Sequence, residues 1–246
     1  MPNFFVNKEN ISDGIITITG EDAHHISRSL RMAKGDKITV CDGTGTEYLC
    51  YLTEFGDGYV IAKAEEKYVG QAEPEIEITL YQGYPKSDKL EYIIQKSVEI
   101  GAKKIVPFDS EFCVKRPNAD KVERQIARLS KIAYEAAKQC GASVLPEVSL
   151  PMSFPSALED AKENSDLFLF CYEGKGTLPI AKILKENKDV KKIAVFIGCE
   201  GGFSDREFSL AKEMGAIPVG LGNRILRCET APIFALSCII YEYQMS

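Results

Sequence analysis

The most restrictive feature of this sequence is a regular alternation of apolar strands and amphipathic helices that begins at residue 76. The strands are apolar throughout, which is typical of a parallel sheet covered by helices on both faces. The pattern predicts strands over residues 76–84, 105–108, 167–172, 193–197 and 217–221. It predicts helices over residues 86–100, 120–140, 178–186, 204–214 and 230–243. Residues 75–246 are therefore expected to form an α/β domain.

Two local sequence signals indicate where the first of these helices ends and where the fourth begins. Gly101 directly follows the first helix and is expected to end it in the left-handed conformation. Ser204 and Glu207 have the spacing of a capping box at the start of the fourth helix.

The first seventy residues follow a different pattern, in which short strands are separated by Asp-Gly turns. Strands are predicted over residues 15–18, 38–40, 48–53 and 59–64, with a short helix over residues 21–31. Several hairpins in so short a stretch indicate a small β-barrel. The polar segment 67–75 is interpreted as a linker between a domain of residues 1–70 and the α/β domain.

The composition is that of a soluble globular protein. The chain has 246 residues, of which 45% are hydrophobic, and no apolar run approaches the length of a transmembrane helix. Its first residues lack the features of a signal peptide. The eight cysteines include no CxxC pair and there are only two histidines, so neither a disulfide framework nor a metal site is expected. A cytoplasmic protein is the simplest interpretation.

A net charge of −6 disfavours a protein that binds nucleic acid mainly through phosphate contacts. Basic residues nevertheless cluster locally. One cluster lies near the start of the chain: His24, His25, Arg28, Arg31, Lys34 and Lys37. A second follows the linker: Lys86, Lys89, Lys96, Lys115, Arg116, Lys121, Arg124 and Arg128. These clusters are candidates for RNA contacts, although each lysine could equally belong to a solvated helix face.

Residues 195–208, VFIGCEGGFSDREF, place three glycines and Glu200 where a strand passes into a helix. This loop lies at the carboxyl end of the predicted sheet, where open α/β folds bind ligands. Glycine permits positive φ and the close approach of a ligand to the main chain. The spacing matches neither the dinucleotide-binding GxGxxG motif nor a P-loop. The alternative is a tight turn that merely requires glycines.

A second glycine-containing loop follows the next strand, in residues 219–232, VGLGNRILRCETAP. Arg224 and Arg227 lie in its middle, and a last helix follows. Loops at the ends of two successive strands can line one pocket. Alternatively, Ile225 and Leu226 fill the core and the arginines are solvated.

Together the two loops resemble the signature loops of the SPOUT-class RNA methyltransferases, and more closely those of the ribosomal RNA small subunit methyltransferase E family. Further motifs follow in the order of that family: FFV, H…SLRMAKGD, DGTGTEY, PKSDKLEYIIQKSVEIGAKKIVP, KIAYEAAKQCG and PEV. The resemblance covers nearly the whole chain. It implies an N-terminal PUA-like β-barrel that binds RNA and a C-terminal SPOUT α/β domain, with a trefoil knot in a mostly parallel sheet.

The resemblance also implies the activity. Members of the family use S-adenosylmethionine to methylate N3 of a uridine in 16S rRNA of the 30S subunit, at position 1498 in the usual rRNA numbering. They act as homodimers.

The site residues are implied in the same way. In the first loop the cofactor-binding residues would be Gly198, Cys199, Glu200, Gly201 and Gly202. In the second they would be Leu221, Gly222, Ile225, Leu226, Arg227, Thr230 and Ala231. RNA would be bound by His25, Arg28, Arg31, Lys86, Lys115 and Arg116.

The chemistry of uridine N3 suggests catalytic roles. N3 is a weak acid that must lose its proton while it is oriented on the methyl carbon. Arg227 and Arg224 are candidates for stabilising the negative charge on the flanking carbonyl oxygens. Glu229 or Glu200 is the candidate proton acceptor. Either glutamate could instead be structural, Glu200 by bonding loop amides and Glu229 by favouring a helix N-terminus.

The sequence departs from the family pattern at five positions that matter here. Asn3, Phe112 and Ala142 stand where arginines are usual, and Cys199 and Cys228 replace a proline and a threonine. The missing arginines suggest an alternative function, an RNA-binding paralogue with weak or retargeted methyltransferase activity. A nucleotide-dependent enzyme on a doubly wound sheet is a third possibility, which the absence of both phosphate-loop motifs disfavours.

Overall fold

The computed structural model describes residues 1–86, 88–114 and 121–245. Its packing separates two compact units, Met1–Glu73 with Ala137–Leu145, and Pro74–Ala136 with Pro146–Ser246. The segment Ala137–Leu145 packs with the first unit, whereas the sequence pattern assigned it to the second domain. The domain limits 1–70 and 75–246 stay a prediction.

The first unit is built on a six-stranded sheet. Its strands are β1 (Asn3–Phe5), β2 (Ile11–Ser12), β3 (Ile15–Thr19), β4 (Lys37–Cys41), β5 (Thr46–Phe55) and β6 (Tyr59–Val69). They run in the order β1-β4-β5-β6-β3-β2, with antiparallel pairing except between β1 and β4. Along β3 and β4 the residues that point into the core alternate with exposed ones, as expected for strands with one covered face.

The predicted helix over residues 21–31 is shorter and less regular than expected. α1 (Gly20–His24) continues directly into a π-helical turn, His25–Ser29. A 3-10 turn, Lys8–Asn10, precedes β2.

The second unit alternates strands and helices. Its strands are β7 (Glu77–Gly83), β8 (Ala102–Asp109), β9 (Glu147–Val148), β10 (Met152–Ser153), β11 (Leu167–Cys171), β12 (Leu178–Pro179), β13 (Lys192–Ile197) and β14 (Ile217–Gly220). Its helices are α2 (Lys89–Ile100), α3 (Val122–Cys140), α4 (Phe154–Asn164), α5 (Ile180–Glu186), α6 (Asp205–Glu213) and α7 (Thr230–Ile240). A π-helical turn, Tyr241–Met245, follows α7.

Within the described residues, every strand pairing in this second sheet is parallel. The order is β10-β8-β7-β13-β11-β14-β12, with β9 beside β8. The predicted α/β class with a mostly parallel sheet is therefore confirmed. Because the strands are parallel, the carboxyl ends of β7, β11, β13 and β14 lie at one edge of the sheet.

Both predicted helix-end signals are confirmed. Gly101 ends α2 with φ 115°, and Ser204 and Glu207 exchange the two hydrogen bonds of a capping box at the start of α6. In contrast, α4 lies where the hydrophobic pattern predicts no element. Its local signals are Ser153, which accepts a hydrogen bond from the Ser156 amide, and a proline in the first turn.

Aromatic rings form the centre of the second unit. Phe196 of β13 is fully buried, and its ring stacks on Tyr81 of β7 with centroids 4.4 Å apart. The ring centroid of Phe168, on the neighbouring strand β11, lies 4.9 Å from that of Phe196. Large buried rings of this kind contribute both area and specific ring contacts to stability.

We expect Phe196→Ala to lower the free energy of unfolding by about 3–5 kcal/mol, because it removes a fully buried ring and leaves a cavity. Urea unfolding followed by circular dichroism measures the change. Leu150→Ala is the control, since Leu150 is 57% exposed and should change stability by less than about 0.5 kcal/mol. Equal losses in both variants would contradict the assignment of Phe196 to the core.

Candidate active site

A cavity of about 470 Å³ opens at the carboxyl ends of β11, β13 and β14. This volume lies within the range of about 300–1,000 Å³ that is usual for small-molecule sites. Its walls come from residues 171–173 and 177, residues 197–200 and 202, and residues 220–228, with Lys89 of α2 and Ala231 of α7. The cavity belongs entirely to the second unit.

The glycine loop after β13 folds back tightly on itself. Gly202 has φ 68°, and its amide donates to the carbonyl of Cys199 over 3.0 Å. A Cβ atom on Gly198 would lie 2.9 Å from Cα of Gly202. Glycine is therefore required at both positions for steric reasons, and the same turn exposes main-chain atoms to the cavity.

Ten of the twelve residues predicted to bind a cofactor line this cavity: Gly198, Cys199, Glu200, Gly202, Leu221, Gly222, Ile225, Leu226, Arg227 and Ala231. Their assignment to a cofactor stays a prediction. Gly201 and Thr230 are not among the described residues that form its walls. The alternative that Ile225 fills the core is wrong, because this side chain is 86% exposed.

Gly201 faces a different neighbour. A Cβ atom at this position would lie 2.7 Å from Cβ of Phe112, in the segment that follows β8. A larger side chain at residue 201 would therefore first displace Phe112 rather than fill the cavity.

Lys89 joins the two glycine loops through ion pairs. Its Nζ lies 3.1 Å from Oε1 of Glu200 and 3.2 Å from Oε2 of Glu229. Oε2 of Glu229 also accepts a hydrogen bond from the thiol of Cys228 over 3.3 Å. We call Glu200, Lys89 and Glu229 the ammonium bridge. The sequence pattern placed Lys89 among the candidate RNA-binding lysines. The contact of α2 with both loops depends on the tertiary fold, so a local pattern does not reveal it.

The ammonium bridge is ionised at neutral pH. The hydrogen bond to Glu200 is the main cause that raises the pKa of Lys89. Burial favours protonation of Glu200, but hydrogen bonds from its own amide, from Lys89 and from the Lys86 amide outweigh burial and lower its pKa. For Glu229, burial is likewise outweighed by bonds from its own amide, Cys228 and Lys89, so its pKa is also lowered.

Arg224 and Arg227 are exposed and line the cavity. The backbone of Arg227 is fixed, because its carbonyl accepts hydrogen bonds from the amides of Thr230 and Ala231 at 2.8 and 2.9 Å. Within the described part of the chain, neither guanidinium has an ion-pair partner. Both are thus available to an anionic group in or beside the cavity.

The segment after β8 is tied to the start of α6 by a buried carboxylate. Glu207 accepts hydrogen bonds from the amides of Ser204 and Glu111, over 3.0 and 2.9 Å. The Ser204 hydroxyl donates to Glu111 over 2.7 Å. The capping box therefore also fixes the segment that contains Phe112.

Ser110 and Cys113 lie beneath the same segment, beside the thiol of Cys199. The Ser110 hydroxyl is 3.2 Å from Sγ of Cys113 and 4.0 Å from Sγ of Cys199. A hydrogen bond from Cys199 lowers the pKa of Cys113 to about 6. The Cys199 side chain therefore belongs to the packing below the glycine loop as well as to the cavity wall.

Comparison with known proteins identifies the family. A sequence model described as an RNA methyltransferase domain matches residues 72–240, and one described as an RNA methyltransferase PUA domain matches residues 18–65. The ribosomal RNA small subunit methyltransferase E of Bacillus subtilis (strain 168) is 33% identical over 252 aligned positions, which cover 100% of this chain and 98% of that protein. The chain belongs to the ribosomal RNA small subunit methyltransferase E family. The resemblance read from the sequence is confirmed.

Two solved structures extend this similarity. A ribosomal RNA small subunit methyltransferase E from Neisseria gonorrhoeae, bound to S-adenosyl methionine, is 27% identical with a TM-score of 0.87, and covers 99% of this chain and 98% of its own. A methyltransferase from Legionella pneumophila, in complex with the bound cofactor SAM, is also 27% identical with a TM-score of 0.83, and covers 97% of this chain and 96% of its own.

The residues predicted to bind RNA lie in both units. His25, Arg28 and Arg31 belong to the first unit, where Arg31 has φ 52°, a strained conformation for an arginine. Lys86 is exposed in the second unit, and its amide donates to both carboxylate oxygens of Glu200, at 3.1 and 3.3 Å. Lys115 and Arg116 lie outside the described residues.

Several other basic residues are paired with carboxylates. Lys37 lies 2.6 Å from Glu65, and Lys96 lies 2.8 Å from Glu99. Arg128 lies 2.9 Å from Glu91. The charges of these three residues are therefore partly neutralised within the chain.

Two of the departures from the family pattern meet in the first unit. The Asn3 side chain donates to the Ala142 carbonyl over 3.3 Å and accepts a hydrogen bond from the Cys41 thiol over 3.1 Å. Where the family pattern has two arginines, this chain thus has an uncharged contact.

The described residues contain no helix that is long and apolar enough to cross a membrane. They also contain no group of three or more histidine, cysteine, aspartate or glutamate side chains that could hold a metal ion.

We expect Lys89→Met to lower the free energy of unfolding by about 1 kcal/mol at neutral pH, because it leaves two carboxylates without their shared cation. The pKa values of Glu200 and Glu229 are lowered on folding. Their contribution is therefore present above the unfolded pKa of glutamate, about 4.3, and is lost as the pH falls through the lowered folded values. The difference between wild type and variant should shrink at about pH 3.

Urea unfolding at both pH values measures this difference. Lys182→Met is the matched control, since it breaks an exposed pair with Glu186 at 3.8 Å and should have almost no effect at either pH. If the free energy of unfolding of Lys89→Met is lower than that of the wild type by the same amount at both pH values, the lysine acts through packing rather than charge.

Proposed function

We propose that this protein uses S-adenosylmethionine to methylate N3 of a uridine in 16S rRNA of the 30S subunit, at position 1498 in the usual rRNA numbering. The observation that carries the proposal is the cavity between the two glycine loops, in a chain of the ribosomal RNA small subunit methyltransferase E family. Two similar structures were solved with this cofactor.

The residues of the cavity suit a charged nucleoside. Gly198, Gly202 and Gly222 leave main-chain atoms accessible to an adenine edge, and Ile225 and Leu226 offer apolar surface for its face. Charges of both signs line the cavity, from Glu200 and Lys89 of the ammonium bridge and from Arg224 and Arg227. Such a lining matches a ligand that carries an amino group, a carboxylate and a sulfonium.

S-adenosylmethionine, when bound, supplies an electrophilic methyl group. The residues of the chain have to orient N3 on that carbon and manage its proton. We assign to Arg227 and Arg224 the stabilisation of negative charge on the uracil carbonyl oxygens next to N3. Their lack of other ion pairs among the described residues supports this assignment.

We assign proton acceptance to Glu229. Its lowered pKa keeps the carboxylate ionised at neutral pH, which is the form that accepts a proton. The N3 proton then moves to the Glu229 carboxylate as the bond between N3 and the methyl carbon forms. We assign Glu200 the structural role, which is supported by its contacts with the Lys86 amide and with Lys89.

The remaining parts of the proposal follow from the family resemblance. The loop after β14 would pass through a trefoil knot, a rare exception among folds. Two copies of the chain would form a homodimer, and the first unit would bind rRNA in the cytoplasm through His25, Arg28 and Arg31. The match of residues 18–65 to an RNA methyltransferase PUA domain supports that role of the first unit.

The decisive experiment supplies the protein with radiolabelled S-adenosylmethionine and 30S subunits from a strain that lacks the modification. We expect label in 16S rRNA and a primer-extension stop at the target uridine, because a methyl group on N3 blocks base pairing. Label at a different nucleotide would establish a retargeted methyltransferase. Binding of RNA and cofactor without any transfer would support the RNA-binding paralogue instead.

We expect Arg227→Ala to lower kcat by about 10²–10³-fold, as removal of a donor to a developing anion does in other enzymes. The Kd for S-adenosylmethionine, measured by calorimetry, should change much less. Arg206→Ala is the control, since Arg206 is an exposed arginine on α6 and should leave both values unchanged. Equal losses in kcat and in affinity would make Arg227 a cofactor ligand only.

A further inference from the structure

Phe112 is a large apolar side chain at the surface beside the glycine loop. It is 44% exposed. A Cβ atom on Gly201 would lie 2.7 Å from Cβ and 3.3 Å from Cγ of Phe112. The aromatic side chain therefore packs directly on the loop that forms one wall of the cavity.

The backbone on both sides of Phe112 is anchored. The Glu111 amide donates to the buried carboxylate of Glu207 over 2.9 Å. Cys113 is buried, and its amide donates to the carbonyl of Ser110 over 3.1 Å. Phe112 is thus exposed on a fixed backbone, which is the arrangement expected of a preorganised contact.

Because the Phe112 ring stays partly exposed, folding does not gain the full free energy that burial of this ring would contribute. An exposed aromatic ring on a fixed backbone offers a flat face on which a base can stack, as in proteins that bind single-stranded nucleic acid.

We propose that Phe112 is a stacking platform for an unpaired base of the RNA strand that enters the active site. This inference rests on the proposed function. Proteins that recognise RNA stack unpaired bases on aromatic rings or on arginine planes. Phenylalanine at a position where the family pattern has arginine therefore keeps a planar surface and removes a positive charge.

A tryptophan reporter tests the contact directly, because the chain contains no tryptophan. Phe112→Trp introduces a single indole whose fluorescence should be quenched, saturably, by a single-stranded oligonucleotide that carries the target uridine and its flanking sequence. Phe234→Trp is the matched control, since Phe234 of α7 is also 44% exposed. We expect no quenching in the control when the oligonucleotide is bound.

Steady-state kinetics test the energetic role. Phe112→Leu retains an apolar side chain without an aromatic face, and we expect it to raise the KM for 30S subunits about tenfold, within the range measured for one base stack. Phe112→Trp should restore the wild-type KM. Phe112→Arg should also restore it, with a steeper dependence on salt concentration. The Kd for S-adenosylmethionine should be the same in all three variants.

Unchanged fluorescence of Phe112→Trp with oligonucleotide bound, or a wild-type KM in Phe112→Leu, would overturn the inference. A rise in KM for both Leu and Trp variants would indicate a steric role instead, and would also overturn it. Failure of the proposed function has a different signature, since the wild-type protein would then transfer no methyl group to rRNA. The quenching experiment requires no transfer and decides the stacking contact by itself.

Discussion

The cavity depends on a close approach between two main chains, at the end of β7 and at the start of the glycine loop. A Cβ atom on Gly83 would lie 2.6 Å from the amide nitrogen of Cys199 and 2.9 Å from the carbonyl carbon of Gly198. The buried Gln82 side chain donates to the carbonyl of Gly198 over 3.2 Å. The loop is therefore held against β7 by close main-chain packing and by the Gln82 side chain, and neither Gly83 nor Gln82 is among the described residues that line the cavity.

The ammonium bridge builds on that arrangement. Lys89 lies in the first turn of α2, which follows β7, so its reach toward the cavity is set by the same strand. It meets Glu200 of the first loop and Glu229 at the start of α7. One cation thus fixes the relative positions of two loops that are separate in sequence. Because the bridge is partly shielded from solvent, it constrains geometry more than an exposed pair would.

Local patterns predicted the parts of this structure that depend on neighbouring residues. The parallel sheet, the capping box at Ser204 and most of the cavity wall follow from apolar runs, glycines and cap residues in short stretches. The ammonium bridge and the packing of Gly201 on Phe112 involve residues more than 80 positions apart, so no local pattern contains them. α4 was within reach of prediction, because Ser153 and the following proline are helix-start signals, but its buried face relies on small residues such as Ala157 and Ala161. Small residues give only a weak hydrophobic periodicity, so the apolar pattern did not indicate this helix.

The distribution of charge determines how much of an affinity for rRNA could come from phosphate contacts. Phosphate contacts give an affinity that rises with the number of free cations and falls with salt. This chain has a net charge of −6, pairs Lys37, Lys96 and Arg128 with carboxylates, and joins Asn3 to Ala142 where the family pattern has arginines. Fewer free cations of this kind would lower the phosphate-dependent part of an affinity for rRNA. A base stacked on an aromatic ring contributes free energy that does not depend on counterion release. With the proposed stacking contact, recognition of the RNA would therefore depend less on the charge of its backbone and more on the bases beside the target nucleotide.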